Sequence, residues 1–330
     1  MDQALGEDRT ATARAHSNIA LIKYWGKRDA ELNTPAVGSI SLTLDALSTD
    51  TRVSFRSELK QDEFWLAETR TDAIRVSKLL DIVRDSAGLA SRAVVESTNN
   101  FPTAAGLASS ASGFAALAVA ASAVAGLSLD TRELSILARR GSGSAARSLF
   151  GGIVELHAGN RPDGLDSFAE PVLAPDVWPL TVVIAITELG QKSVNSTTGM
   201  GGSALTSPFY PAWVETGEDD LAAMRLAIAS RDFEQLGQLA EYSCLKMHGL
   251  MMSTRPALLY WNAGTMAAMQ AVLELRASGI PVYFTIDAGP QVKALCLPEH
   301  ARTVADALGR VIGVHETRTS ALGGGARLLS

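Results

Sequence analysis

The stretch 99–129 carries no charged side chain, and this limits what the chain can fold into. Its sequence is NNFPTAAGLASSASGFAALAVAASAVAGLSL. Three structures suit such a run: a membrane span, a buried helix, or a loop and helix start that bind an anion. Between residues 101 and 129 there are eleven alanines, five serines and three glycines, but few large apolar residues. This composition argues against a span and favours a helix packed closely on a sheet, because small side chains let backbones approach.

The first part of this stretch has the features of an anion-binding turn. A predicted strand, AVVEST, leads into a turn of small residues, and a helix is expected from about Leu107. The free N–H groups and the dipole of a helix start attract negative charge. Gly106 would let a phosphate approach the backbone, and the Ser109 and Ser110 hydroxyls can contact phosphate oxygens or a bound Mg²⁺. Judged by these residues alone, an alanine-rich core helix with serine caps explains the pattern equally well.

Charge and cysteine content exclude several classes of protein. The formal net charge is −6 and no run of basic residues occurs, which argues against a nucleic-acid-binding protein. A local cluster of donors could still bind a small anion. Cys244 and Cys296 have no metal or redox spacing, and the five scattered histidines form no zinc pattern. The acidic N-terminus resembles no signal or transit peptide, so we expect a cytoplasmic protein that does not contact membranes.

Local patterns predict strands and helices without regular βαβ alternation, which is typical of an α+β fold. Helices are expected over 71–88 and 131–141, and Asp130 should cap the second. Period-two patterns predict strands over 11–24, 92–98, 180–187 and 280–287, and a hairpin or meander of 39–45 with 51–57. A polar loop rich in Gly, Ser and Thr follows residue 187, so we predict domains over 1–187 and 188–330.

Four long segments together resemble a known family. The sequence PTAAGLASSA, residues 102–111, matches P-x-x-x-G-L-x-S-S-A, the phosphate-loop pattern of the GHMP kinase superfamily. This loop and the segments ARAHSNIALIKYWGKRD, RRGSGSAARSLFGG and YFTIDAGP resemble the diphosphomevalonate decarboxylase family within that superfamily, in family order and over nearly the whole chain. The resemblance implies the two-domain GHMP kinase fold: an N-terminal mixed-sheet domain with the phosphate loop, and a ferredoxin-like C-terminal domain.

The resemblance implies ATP and Mg²⁺ as cofactors and 5-diphosphomevalonate as the substrate. In this family the tertiary 3-hydroxyl receives the γ-phosphoryl group, and loss of that phosphate with CO₂ gives isopentenyl diphosphate and ADP. Phosphate is a good leaving group and hydroxide a poor one, so phosphorylation prepares the elimination. The alternatives are a phosphomevalonate decarboxylase, a GHMP small-molecule kinase such as a mevalonate 3-kinase that releases no CO₂, and a non-catalytic sensor. A homodimer is typical of the family.

Three residues in the matching segments are candidates for catalysis. Asp287 ends a predicted strand before a Gly-Pro pair, a position typical of an aspartate that begins a turn, but the resemblance makes it the base at the 3-hydroxyl. Arg147 could by itself be a surface arginine, and the resemblance implies that it binds the carboxylate of the substrate or of the base. Lys23 shares a predicted strand face with Leu21 and should reach a polar cleft, and the resemblance puts it at the catalytic centre.

The resemblance also implies which residues bind each ligand. Those for the nucleotide phosphates are Pro102, Ala104, Ala105, Gly106, Leu107, Ala108, Ser109 and Ser110, with Ser110 an indirect contact of Mg²⁺. Those for the substrate are Asn18, Tyr24, Trp25, Gly26, Lys27, Arg75, Ser142, Gly143, Ser144, Ala145, Ala146, Ser196 and Thr197. Two positions depart from the family pattern. Thr197 stands where some bacterial relatives have an arginine, and Val37 is the clearest change in the loop after Asn33.

Overall fold

The computed structural model describes residues 9–101, 109–190 and 194–329 of the chain. Within these ranges the chain forms two large β-sheets with helices packed against them, so the predicted α+β class is confirmed. The earlier strands are β1 (Thr10–Ile22), β2 (Lys27–Asp29), β3 (Thr34–Pro35), β4 (Ser39–Arg56), β5 (Glu63–Leu66), β6 (Thr69–Thr71), β7 (Arg92–Asn99), β8 (Ile153–Leu156) and β9 (Ala169–Leu173). The helices among them are α1 (Ile74–Ala87), α2 (Ser109–Val124) and α3 (Thr131–Gly141), followed by a 3₁₀ turn over Gly143–Leu149.

The later part of the chain has one strand, then a mostly helical segment, and then further strands. Its strands are β10 (Thr181–Ile186), β11 (Val282–Thr285), β12 (Val292–Cys296), β13 (Glu316–Ala321) and β14 (Arg327–Leu329). Its helices are α4 (Ser196–Thr206), α5 (Tyr210–Glu215), α6 (Gly217–Ser230), α7 (Phe233–Met252), α8 (Ala263–Ala277) and α9 (Ala301–Gly309), with a 3₁₀ turn over Pro298–His300.

The first sheet is mixed, and β1 and β4 form its centre. The strand order is β14-β1-β4-β7-β5-β6, and β8 and β9 extend from β4. Every pair is antiparallel except β5 with β7, which is parallel. Strand β1 pairs with β4 from Thr10 opposite Ser54 to Ile22 opposite Ile40, and the end of β1 packs against the second domain.

The predicted hairpin over 39–45 and 51–57 is wrong. Both segments belong to the single strand β4, which continues from Ser39 to Arg56. The residues between them include serine, threonine and aspartate, which are common in turns. They stay extended because β4 pairs with β1 along nearly its whole length, while its two halves pair with β8 and β7 on the other side.

The second sheet is a four-stranded antiparallel layer in the order β11-β12-β10-β13. The helices α7, α8 and α9 pack against it. Its strand β10 lies before the domain boundary that the sequence analysis sets after residue 187, yet it pairs with β12 and β13. We therefore propose that the second domain begins before Thr181, because hydrogen-bonded strands of one sheet belong to one folding unit.

Residues 109–124 of the uncharged stretch form the core helix α2. Helix α2 packs on β1, β4 and α3. Its Ser112 Oγ lies 2.6 Å from Thr49 Oγ of β4, so a polar group inside the core is satisfied. Six alanines of α2 are fully inaccessible, and their small size permits this close packing: Ala111, Ala115, Ala116, Ala118, Ala120 and Ala121. Of the helices in the described ranges, none is long and apolar enough to cross a membrane.

A buried ion pair connects α1 to the first sheet. Arg84 on α1 donates from Nη1 and Nη2 to the two carboxylate oxygens of Asp62, at 2.9 Å each. Asp62 Oδ1 also accepts from the backbone N–H of Ala93 on β7, at 2.8 Å. Both charged side chains are buried and offset each other's loss of water, and Arg84 Nη2 also donates to the half-exposed Asp81 on α1.

Replacing Asp62 with alanine should lower the free energy of unfolding by about 3 kcal/mol, because the buried Arg84 would lose its buried partner and keep only the half-exposed Asp81 among its described carboxylate contacts. Urea unfolding monitored by circular dichroism measures this. Arg70→Ala is the control, since Arg70 is half-exposed and pairs with Glu63 at 2.9 Å near the surface. The Arg70→Ala variant should lose no more than about 1 kcal/mol of its free energy of unfolding. Equal losses in the two variants would contradict the assigned role of the Asp62–Arg84 pair.

Candidate active site

A cleft of about 1010 Å³ lies between the two domains. Its walls come from the end of β1, from α1, from the start of α2, from the 3₁₀ turn after α3, from the start of α4 and from the segment after β11. The structure brings fifteen of the predicted site residues together along this cleft: Asn18, Lys23, Tyr24, Trp25, Lys27, Arg75, Ser109, Ser110, Ser142, Gly143, Ser144, Arg147, Ser196, Thr197 and Asp287.

Lys23 is the first residue after β1 and reaches Asp287 of the other domain. Its Nζ donates to Asp287 Oδ1 at 2.7 Å and to the Ala20 carbonyl at 2.8 Å. Its backbone N–H donates to Ser243 Oγ on α7 at 3.0 Å. Lys23 is therefore held at both its backbone and its ammonium group, and its charge is aimed at the carboxylate.

Asp287 lies two residues after β11 and faces two lysines. Lys23 contacts Oδ1, and Lys293 Nζ on β12 lies 3.4 Å from Oδ2. Burial would raise the pKa of Asp287, but the attraction of these two ammonium groups outweighs it and the pKa falls well below its usual range. Burial lowers the pKa of Lys293, which the charge of Asp287 partly offsets. The carboxylate is therefore ionised throughout the physiological range.

Arg147 is a buried cation whose hydrogen bonds go to neutral groups. Its Nε donates to Asn18 Oδ1 at 3.2 Å and to Ser41 Oγ at 2.9 Å, and its Nη1 donates to Ser39 Oγ. Burial lowers the pKa of Arg147 to about 10, with some compensation from the charge of Asp287. The guanidinium still carries its charge near neutral pH, and it lines the cleft where an anionic ligand could pair with it.

The turn between α3 and Arg147 is shaped by close contact with Tyr24. A side chain at Gly143 would collide with the Tyr24 hydroxyl, so glycine is needed for this approach. Burial raises the pKa of Tyr24 to about 12, and the phenol stays neutral. The Oγ atoms of Ser142 and Ser144 lie 3.3 Å apart, and both residues line the cleft. The turn thus offers hydroxyl groups beside the buried charge of Arg147.

Cations outnumber carboxylates along the cleft. Among the described residues, six side-chain cations line it against three carboxylates, Glu31, Asp81 and Asp287, for a net charge of +3. Burial lowers the pKa of Lys27, and the nearby Arg75 lowers it further. Lys78 and Arg140 belong to this group but were missed by the sequence analysis, because a charged residue on a helix normally indicates a solvated face. The six cations are Lys23, Lys27, Arg75, Lys78, Arg140 and Arg147.

The start of α2 contributes Ser109 and Ser110 to the same cleft. The remaining predicted phosphate-loop residues, Pro102, Ala104, Ala105, Gly106, Leu107 and Ala108, lie outside the described residues. No group of three or more His, Cys, Asp or Glu side chains suited to a metal occurs in the described part of the chain. A divalent cation here would therefore take its ligands from bound phosphates, water and at most a serine hydroxyl.

A second, apolar pocket of about 400 Å³ adjoins the start of α2 and shares Arg75, Ser109 and Ser110 with the main cleft. The sequence analysis missed it because its walls come from separate elements that are ordinary core strands and helices. Its apolar lining includes Phe64, Leu66, Ile74, Val95, Phe114 and Leu117.

Three predicted substrate-binding residues do not line the cleft. Ala145 and Ala146 are fully buried in two hydrophobic clusters of the first domain, because the 3₁₀ turn directs their methyl groups inward. Gly26 has a φ of +96° and packs closely against the Tyr210 side chain. These three residues are close in sequence to Arg147 or Lys27, but they do not line the cleft.

Helix α7 packs against β1 and β11, the strands that lead to Lys23 and Asp287. No sequence motif indicated this contact. The backbone N–H of Ile286 donates to Cys244 Sγ at 3.2 Å. Trp261 Nε1 donates to His248 Nε2 at 3.3 Å, and this nitrogen also lies 3.3 Å from the Ile286 carbonyl. Burial, followed by the charge of Lys23, lowers the pKa of His248 to about 3, and burial raises that of Cys244 to about 11. Both groups beside Asp287 are therefore neutral near pH 7.

Comparison with known proteins gives matches over both domains. Residues 15–169 match the family model described as diphosphomevalonate decarboxylase-like N-terminal domain. Residues 182–326 match the model described as mevalonate 5-diphosphate decarboxylase C-terminal domain. The diphosphomevalonate decarboxylase of Homo sapiens is 38% identical over 322 residues, which cover 91% of this chain and 79% of the relative.

Solved structures match over the whole length. One is MDDEF in complex with MVAPP, AMPPCP and magnesium, with a TM-score of 0.92 and 41% identity over 98% of this chain and 100% of the other. Another is mevalonate diphosphate decarboxylase from Staphylococcus aureus, with a TM-score of 0.92 and 38% identity over 99% of each chain. These matches confirm the two-domain architecture that the sequence analysis predicts.

Acidification should destabilise the protein through His248. The unfolded histidine takes up a proton below its ordinary pKa of 6.5, but the folded one stays neutral down to about pH 3, so unfolding becomes more favourable as pH falls. Between about pH 7.5 and about pH 5 this one group should remove about 2 kcal/mol of stability. Urea unfolding at both pH values measures it.

Between the same two pH values, His248→Gln should lose about 2 kcal/mol less of its free energy of unfolding than the unmodified protein does. Replacing the exposed His315 with glutamine is the matched control and should leave the wild-type dependence in place. Equal losses of stability in His248→Gln and the unmodified protein over this pH range would contradict the prediction that folded His248 stays neutral.

Proposed function

The chain belongs to the diphosphomevalonate decarboxylase family, and from this premise we propose that it uses ATP and Mg²⁺ to convert 5-diphosphomevalonate to isopentenyl diphosphate, ADP, phosphate and CO₂. One observation supports this reaction most directly. The cleft that contains Asp287, beside Lys23 and Arg147, also contains Ser109 and Ser110 at the start of α2. A hydroxyl acceptor and the phosphates of a nucleotide could therefore meet in one cavity.

Asp287 would act at the phosphoryl-transfer step. The 3-hydroxyl oxygen attacks the γ-phosphorus of ATP, its proton passes to Asp287 Oδ1, and the bond from phosphorus to the leaving oxygen of ADP breaks. With two ammonium groups beside it, this carboxylate is a weak base. A weak base suffices in the loose transition state of phosphoryl transfer, where orientation of the hydroxyl matters more than early removal of its proton.

Lys23 and Arg147 would act at the elimination step. The C3–O bond breaks with its electron pair leaving on phosphate, and the C–C bond to the carboxylate breaks to form the double bond and CO₂. Negative charge collects on the departing phosphate. Fixed positive charges in a cleft with little water stabilise that charge without having to reorganise. Arg147 suits this role because it is buried and its described hydrogen bonds leave its charge without a carboxylate partner.

The remaining cleft residues would bind the rest of each ligand. Tyr24, Lys27 and the Ser196–Thr197 pair are proposed contacts of the substrate diphosphate, with Ser142 and Ser144 nearer the reacting carbon. We add Lys78 and Arg140, whose positive charge faces the same space. The apolar pocket beside Ser109 suits the base of the nucleotide, since it is open, lined by aromatic and aliphatic groups, and continuous with the phosphate-binding serines.

Mg²⁺ fits this arrangement as an ion carried by phosphate groups. Among the described residues no carboxylate cluster is available for it, and Ser110 lies at the start of α2 where its hydroxyl could complete an octahedral shell. When bound, the ion would neutralise part of the phosphate charge and orient the γ-phosphoryl group.

We also propose a cytoplasmic homodimer. The cytoplasmic location is supported by Cys244 and Cys296, which are buried and unpaired, as suits a reducing compartment. The dimer is supported only by the behaviour typical of the family. Sedimentation velocity measures the oligomeric state, and a monomer at micromolar concentration would contradict it.

Incubation of the protein with ATP, Mg²⁺ and each of mevalonate, 5-phosphomevalonate and 5-diphosphomevalonate tests the reaction. Equal amounts of ADP, phosphate and CO₂ are expected, with the diphosphate as the best substrate. Formation of ADP and a stable phosphorylated product without CO₂ would indicate a kinase instead. Higher kcat/KM with the monophosphate would identify a phosphomevalonate decarboxylase.

Asp287→Asn should lower kcat by about 10²–10⁴, because the hydroxyl loses the carboxylate that orients it and accepts its proton. The Kd for a nucleotide analogue, measured by fluorescence, should stay within about twofold. Asp220→Asn is the control, since Asp220 is also paired with a lysine, Lys246, but does not line the cleft. Turnover within tenfold of the unmodified enzyme in Asp287→Asn would refute the role.

A further inference from the structure

Lys293 is a lysine in the interior of a sheet. It lies on β12, which is flanked by β11 and β10, and pairs in register with Thr285 and Ile184. Its side chain is 0% exposed, and the other residues of β12 are buried as well. Placing an ammonium group there costs several kcal/mol in lost hydration. Such a cost requires a compensating anion, and Asp287 lies within reach at 3.4 Å.

The two lysines at Asp287 occupy different positions relative to the cleft. Lys23 lines the cleft and contacts Oδ1, whereas Lys293 faces Oδ2 and does not line it. Oδ2 is itself shut away from solvent. A substrate in the cleft would therefore meet the carboxylate through Oδ1, and Lys293 could influence the reaction only through Asp287.

We propose that Lys293 is a positioning residue: it keeps the Asp287 carboxylate ionised and turned so that Oδ1 faces the cleft. The consequence for turnover rests on the proposed function, but the effect on Asp287 does not. If Lys23 alone set the state of Asp287, any substrate anion that drew Lys23 away would leave a partly buried carboxylate without a compensating charge. Lys293 removes that dependence because no ligand in the cleft can reach it.

The other titratable groups near Asp287 do not duplicate this role. Arg147 influences it across the cleft but is held by neutral partners of its own. Cys244 and His248 on α7 are neutral near pH 7 because both are buried. Within the described part of the chain, the charged groups around the carboxylate are therefore Lys23, Lys293 and Arg147.

The first test measures the carboxylate itself. Protein labelled with ¹³C at aspartate carboxyl groups is titrated by NMR, and Asp287→Asn identifies the signal. In the unmodified protein this signal should not titrate above about pH 4. In Lys293→Met, which keeps the length of the side chain without its charge, the midpoint should rise by at least about one pH unit. Lys293→Arg restores a positive charge but not the original packing, so its midpoint should return most of the way to the unmodified value. A shift that came from lost packing would not be reversed by arginine.

Lys246→Met is the matched control for the titration. Lys246 lies on α7, is partly buried and is paired with Asp220, but does not line the cleft. The Lys246→Met variant should leave the titration midpoint of the Asp287 signal unchanged. An unshifted midpoint in Lys293→Met, or an equal shift in Lys246→Met, would overturn the proposal. Lys293→Gln gives the same comparison if the methionine variant does not fold.

The second test measures turnover with ATP and 5-diphosphomevalonate. Lys293→Met should lower kcat at pH 7 by about 10- to 100-fold, leave the KM for ATP nearly unchanged, and move the acid limb of the kcat profile to higher pH. In the Asp287→Asn background the same substitution should cause no further loss, since its target is gone. A full additional loss there would overturn the proposal.

Failure of the proposed function gives a different result. Unmodified protein that releases no CO₂ from any mevalonate derivative would contradict that function. The NMR titration would still decide whether Lys293 controls Asp287.

Discussion

The contact between Lys23 and Asp287 is the interaction on which the rest of the site depends. Lys23 follows the long strand β1 of the first sheet, and Asp287 follows β11 of the second. Their 2.7 Å ion pair joins the two domains at the base of the cleft. Because α7 of the second domain also binds the backbone of Lys23 through Ser243, the end of β1 is held against the second domain at this point. The cleft beside this pair is also lined by Ser109 and Ser110 at the start of α2.

Stability does not explain why charges are buried at this contact. Removing an ion from water costs several kcal/mol, and a buried pair often contributes less than apolar residues of the same volume would. Here three charged groups, Lys23, Lys293 and Asp287, share one interior region. The neighbouring histidine and cysteine on α7 are kept neutral, so the sign and size of the local charge come from the lysines and Arg147. The arrangement fixes the ionisation state of these groups at a cost in stability. The proposed transfer of a proton and a phosphoryl group requires a fixed ionisation state.

Local signals predicted much of this fold, and contacts distant in sequence account for what they missed. The cap of α3 by Asp130 and the alanine-rich α2 were predictable, because both follow from residues close together in the chain. The unbroken β4 was not, since its polar middle stays extended only through pairing with β1, β7 and β8. For the site, the motifs indicated Lys23, Arg147 and Asp287 as one group. Lys293 was missed because only the register of β11 with β12 brings it to the carboxylate.

The charge distribution explains how an acidic protein can suit a ligand with many negative charges. The chain has a net charge of −6, but the described residues that line the cleft have a net charge of +3. At physiological ionic strength, exposed charges are screened beyond about 8 Å, so carboxylates on the outer surface have little effect inside the cleft. The buried Arg147 and the half-buried Lys27 are screened far less, and they contribute most to the field that a bound ligand meets. Overall charge thus excludes a long polyanion spread over the surface, while the local arrangement selects small, compact anions that can enter between the domains.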